Sequence, residues 1–160
     1  MVADQGVDEL AEQIAELAGA ADFTVAAAES LTGGRISAAL GAAPDAGSWY
    51  RGAVVAYAEG VKREVLGVPE CPVVSRACAQ QMAEGVARLL DADYAVAVTG
   101  VGGPGSQDGE TPGTVWFAVT GPIGTQARRH RFDGESAEII DLTVAEALRL
   151  LIEHATTRGS

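Results

Sequence analysis

Lysine is almost missing from this chain: of its 11 basic residues ten are arginine and one, Lys62, is lysine. Basic charge of either kind is scarce, because 22 Asp and Glu leave a formal net charge of −11 at pH 7. That deficit argues against general binding to nucleic acid or anionic membranes, which needs basic patches that displace counterions. Local arginine sites for a small anion stay open. Cysteine is limited to Cys71 and Cys78, seven apart with no CxxC motif and no histidine between them. Neither a zinc site nor a disulfide framework is indicated, and both are read as free thiols. The two histidines, His130 and His154, have no aspartate at a spacing that suggests pairing, so a Ser-His-Asp arrangement is not expected. No apolar run reaches the roughly 18 residues that span a bilayer. The start, with Asp4, Asp8 and Glu9 and no basic segment, does not read as a signal peptide. A cytoplasmic protein is expected.

What remains is ample for a core. The 160 residues are 48% hydrophobic and 21% charged, which suits one domain spanning 1–160 and excludes a disordered tail. Val7, Leu10, Ala11, Ile14, Leu17 and Ala18 recur at helical spacing, predicting a first helix that ends near Gly19. Phe23 to Ala28 reads as a buried strand, halted by the polar, Gly-bearing turn Glu29-Ser30-Leu31-Thr32-Gly33-Gly34 before a helix from Arg35 to Leu40. A strand at Gly52 to Tyr57 leads to a short helix, Glu59 to Leu66, closed by Gly67. Ser75 is the expected N-cap of a longer helix through Leu90. Asp93 to Thr99 reads as a strand, Thr114 to Val119 and Gln126 to Phe132 as a hairpin around Gly121-Pro122-Ile123-Gly124, and Glu135 to His154 as a last helix. The sum is a mixed sheet covered by helices on both faces. The Gly-rich stretch 100–109 lies between strands and reads as a functional loop rather than a linker.

Ligands of open α/β sheets gather beyond the carboxyl ends of the strands, where the turns 29–34, 57–62 and 100–113 fall. Ser30 stands at a strand-to-helix turn, either as a nucleophile or as a helix cap. Lys62, five residues after Tyr57, is either an exposed helix lysine or a base. A guanidinium cannot deprotonate, so a single lysine among arginines suggests that the amine matters.

Together these segments carry a resemblance. Ala28-Glu-Ser-Leu-Thr-Gly-Gly34, Tyr57 with Lys62, Val74-Ser75, Gly100-Val-Gly-Gly-Pro104 and Pro112-Gly-Thr-Val-Trp116 closely resemble the CinA C-terminal domain family, over about residues 8–155. The resemblance implies a three-layer α/β/α fold with a mixed, mostly parallel sheet and a homodimer. It also implies hydrolysis of the carboxamide of nicotinamide mononucleotide, giving nicotinate mononucleotide and ammonia, without a metal or other cofactor. Ser30 would be the nucleophile, Lys62 its base, and Tyr57 would position or stabilise the amide. Backbone N–H groups of Thr32, Gly33 and Gly34 would hold either the oxyanion or a ligand phosphate. Gly102, Gly103 and Gly113 would line the other wall. The N-terminal pyrophosphatase domain of two-domain relatives is not expected in a chain of this length. Two departures bear on substrate. Ala58-Glu59 stands where the family carries Ser-Asn, and Ser136 and Ile140 stand where it carries the arginines implied to hold the phosphate. Arg35, or one of Arg128, Arg129 and Arg131, is a candidate substitute; the strand arginines otherwise read as the charges of a solvated edge strand that resist aggregation. The alternatives are an amidase of the same chemistry acting on a non-phosphorylated amide, and a catalytically silent nucleotide-binding or interaction module.

Overall fold

The computed structural model describes residues 6–101 and 109–157. Five strands, β1 (Val25–Glu29), β2 (Tyr50–Val55), β3 (Tyr94–Gly100), β4 (Thr114–Gly121) and β5 (Gly124–Arg131), form one sheet in the order β2-β1-β3-β4-β5. β2, β1 and β3 run parallel, while β3-β4 and β4-β5 are antiparallel. This is the mixed sheet expected, with a parallel half and a hairpin half.

The two faces differ in the size of their side chains. Val25, Ala27, Val96, Val98, Val115, Phe117 and Val119 point to one face. Helices α1 (Val7–Ala21), α2 (Arg35–Gly41) and α6 (Ser136–Thr156) cover it, contributing Leu10, Ile14, Ile36, Leu40, Leu148 and Leu151 to that core. The alternate residues Ala26, Ala28, Ala95, Ala97 and Ala118 point the other way, toward α5 (Arg76–Leu90). Alanine along three neighbouring strands lets a helix approach closely, and α5 meets it with Ala79, Met82, Ala83 and Val86. Its Gly85 belongs to the same tight fit: a Cβ there would stand 2.1 Å from the Leu66 carbonyl oxygen.

Several ends differ from expectation for identifiable reasons. α1 runs through Gly19 to Ala21, because the left-handed C-cap is taken by Asp22 rather than glycine. α4 (Glu59–Glu64) stops short of Leu66; Gly67, at φ +70°, turns the chain so that Val68 N donates to Lys62 O at 3.1 Å. β2 begins at Tyr50 and ends before Tyr57. A four-residue helix, α3 (Ala46–Trp49), is too short to leave a periodic signature. Ser75 caps α5 as expected, its hydroxyl accepting from Cys78 N at 3.1 Å. No helix among the described residues is long and apolar enough to cross a membrane.

Candidate active site

β1 lies between two parallel neighbours, so its carboxyl end opens where such sheets place ligands. The chain leaves β1 at Glu29 and enters α2 through Ser30–Gly34, with Gly33 and Gly34 at φ +57° and +105°. Glu29 is fully buried and its carboxylate turns back into the start of α2. It accepts from Thr32 Oγ1 at 2.6 Å, Gly34 N at 3.2 Å, Ile36 N at 2.9 Å and Ser37 N at 2.8 Å. The unpaired N–H groups of a helix start are thereby satisfied by a carboxylate from the preceding strand. This corrects the expected role of the Thr32–Gly34 donors: Gly34 N is spent on Glu29, and Gly33 N on Ser30 O at 3.1 Å. The N–H groups of Leu31 and Thr32 have no acceptor among the described residues.

Ser30 and Lys62 come together from 32 positions apart: Lys62 Nζ donates to Ser30 Oγ at 3.1 Å. Both are enclosed, Ser30 at 6% and Lys62 at 2% exposure, so this lysine is no solvated surface residue. Ser30 is not the N-cap of α2 either, since Gly34 holds that position. Glu59, the carboxylate nearest in sequence, is bound instead to Arg63 one helical turn away. On the α5 side Cys78 is close enough to feel the lysine. Burial, and then the neighbouring Cys71, push the Cys78 thiol up to about 11, while Lys62 opposes the rise.

Other expected site residues fall elsewhere. Tyr57 is 76% exposed, between β2 and α4. Arg35 reaches toward α6, 3.5 Å from Asp141, on the face opposite α5. Gly113 is shaped by backbone packing: at φ +91° it donates to Val101 O and accepts from Phe132 N, both at 2.8 Å, and a Cβ would lie 2.0 Å from Phe132 O. Gly102 and Gly103 lie outside the described residues. Of the β5 arginines, Arg128 pairs with Glu153 at 3.1 Å, and Arg131 is exposed. Arg129 lies with its guanidinium 6.0 Å from the centre of the Trp116 ring, over which Arg76 also sits at 5.1 Å. Among the described residues no cluster of three or more His, Cys, Asp or Glu could hold a metal ion.

Sequence reasoning named Ser30 and Lys62 and passed over Glu29, Arg76 and Trp116. Glu29 had a local signal, a carboxylate directly before a Gly-bearing helix start. The arginine–tryptophan contact joins α5 to the hairpin and had none.

Known proteins share this fold. The family described as CinA C-terminal domain matches residues 7–155. A competence-damage inducible protein of Desulforamulus reducens is 44% identical over 135 residues, 81% of this chain and 33% of its own length. The chain thus spans about a third of the curated relatives it matches. Among solved structures, the competence damage-inducible protein A of Klebsiella pneumoniae superposes with a TM-score of 0.91 at 36% identity, covering 96% of this chain and 100% of that one. The competence-damaged protein (CinA) superfamily protein of Escherichia coli gives 0.92 at 32% identity, covering 96% and 94%.

Proposed function

This chain belongs to the CinA C-terminal domain family, and we propose that it is an amidohydrolase converting nicotinamide mononucleotide to nicotinate mononucleotide and ammonia. The observation that carries the reading is the enclosed Ser30–Lys62 contact at 3.1 Å. A serine is a weak nucleophile until a base within hydrogen-bond reach takes its proton, and a neutral lysine amine is such a base.

In this mechanism Ser30 Oγ attacks the carboxamide carbon while its proton passes to Lys62 Nζ. The oxyanion that develops on the amide oxygen meets the Leu31 and Thr32 N–H groups, fixed donors directly after the nucleophile. Collapse of the tetrahedral intermediate breaks the C–N bond, and Lys62 returns the proton so that ammonia leaves. Water, deprotonated by the same amine, then releases the acid from Ser30. Glu29 orders the turn that carries these groups, and Tyr57, as the resemblance implies, positions or stabilises the amide. A homodimer, as the resemblance implies, is part of the proposal and is tested by light scattering.

The experiment follows ammonia from nicotinamide mononucleotide and from nicotinamide riboside. Release from the nucleotide, abolished in Ser30→Ala and Lys62→Ala, is expected. Release from the riboside alone would favour an amidase for a non-phosphorylated amide, the reading that Ser136 and Ile140 support. No release from either would leave a silent binding module.

A further inference from the structure

Pairing registers align four residues across the sheet. Ala28 pairs with Ala97, Ala97 with Ala118 and Ala118 with Ala127, a row of alanines beneath α5. Two residues further on, and on the same face, the row is Thr99, Trp116 and Arg129, with Thr99 opposite Trp116 and Trp116 opposite Arg129; Ser30, the residue after β1, stands at its head. Neighbouring strands are about 4.8 Å apart, so Trp116 stands about 10 Å from Ser30 in this row. That is about the length of a mononucleotide from its amide to its phosphate. Thr99 Oγ1 donates to Val73 O at 2.8 Å, tying down the segment that leads into α5, whose first residue, Arg76, overhangs Trp116.

Four of the ten arginines of this acidic chain have carboxylate partners among the described residues: Arg35 with Asp141, Arg63 with Glu59, Arg128 with Glu153, Arg149 with Glu146. Arg76 and Arg129 instead converge on one indole, both exposed, and among the described residues neither pairs with a carboxylate. Two like charges held beside one ring repel each other unless an anion lies between them. A phosphate monoester, with two negative charges and three acceptor oxygens, suits two guanidinium forks.

Resting on the amidase reading of Ser30 and Lys62, we propose that Arg76 and Arg129, gathered by Trp116, form the subsite for the substrate's phosphate. They do the work for which Ser136 and Ile140 are unsuited. Trp116 is a positioning residue that holds both guanidiniums at the end of the row.

The test uses binding, so that it is read apart from turnover. In a Ser30→Ala background, calorimetry compares nicotinamide mononucleotide, nicotinamide riboside and inorganic phosphate. The nucleotide is expected to bind at least about tenfold tighter than the riboside, the scale of one or two charge-assisted hydrogen bonds. Arg76→Ala with Arg129→Ala removes that advantage and the competition by phosphate, while riboside affinity stays. Arg76→Lys with Arg129→Lys restores part of it. A double alanine variant that keeps the preference for the nucleotide, or that weakens nucleotide and riboside equally, would overturn the proposal. If the wild-type protein releases no ammonia yet shows an arginine-dependent phosphate preference, the subsite stands and the amidase reading falls.

Discussion

Lys62 Nζ, on α4, donates at 3.1 Å to Oγ of Ser30, the residue that follows β1. The two side chains therefore meet because β1 and β2 are parallel neighbours whose exits face the same way. Replacing Lys62 by Met keeps the length and removes the amine, while Arg keeps charge without a removable proton. Both variants are expected to lose about 100-fold to 10,000-fold in kcat, the usual contribution of a positioned base. Steady-state ammonia release with circular dichroism of each variant checks this; Arg retaining near wild-type rates would remove the lysine from the mechanism.

Glu29→Gln tests the turn. Glutamine keeps one acceptor oxygen for Thr32, Gly34 and Ile36, which all bond to Oε1, but sets an –NH2 against Ser37 N on the Oε2 side. A cost of about 1–3 kcal/mol is expected, the range for a buried polar group left unsatisfied. Urea unfolding measures it, and an unchanged midpoint would mean that the carboxylate is dispensable.

Gly85→Ala places a methyl group against the Leu66 carbonyl, which is backbone and cannot rotate away. Overpacking of this kind costs about 1–3 kcal/mol. Because Leu66 follows the helix that carries Lys62, activity is expected to fall along with Tm, more than in Gly60→Ala, where a Cβ meets open space.

Thiol chemistry separates the cysteines. With its thiol pushed up to about 11 by burial, Cys78 stays protonated at neutral pH. A disulfide reagent is expected to titrate the half-buried Cys71 first, and Cys78 only on unfolding. Two equally fast thiols in the native protein would contradict this.

His154 gives the stability a pH dependence with a defined sign. Burial holds its imidazole below the ordinary 6.5, against the opposing effect of its hydrogen bond to Gly124 O at 3.1 Å. The unfolded chain therefore takes up a proton that the folded chain resists. This contribution is complete above pH 6.5 and is lost as pH falls below it toward the lower folded value. The urea midpoint is expected to drop between about pH 7 and pH 5, less steeply in His154→Gln. Equal slopes would exclude this group as the source.

Much of the fold was legible because each strand and long helix carries its own period or cap: Ser75 before α5, glycines bounding the hairpin, heptad-like apolar residues in α6. Boundaries slipped where a non-glycine took the left-handed cap, as Asp22 does, and α3 escaped because four residues make barely one turn. At the site, composition drew attention to Lys62 and the turn pattern to Ser30, while their roles came from the family resemblance. The ownership of the turn's donors was not legible. Spacing marks Thr32, Gly33 and Gly34 alike as ligand groups, whereas Glu29 takes Gly34 N and Ser30 O takes Gly33 N, a matter of chain direction that spacing does not encode.

The alanine row under α5 makes the molecule's two sides respond differently to change. On the valine side, a smaller residue leaves a void and the helices above it stay where α1 and α6 hold each other. On the alanine side α5 packs on the methyl groups themselves, so a larger residue at position 97 or 118 is expected to push that helix outward. Arg76, whose guanidinium lies over Trp116, is its first residue. Change at these buried, chemically silent positions would thus reach the Arg76–Trp116 contact, and with it the proposed phosphate subsite, without touching the serine or the lysine.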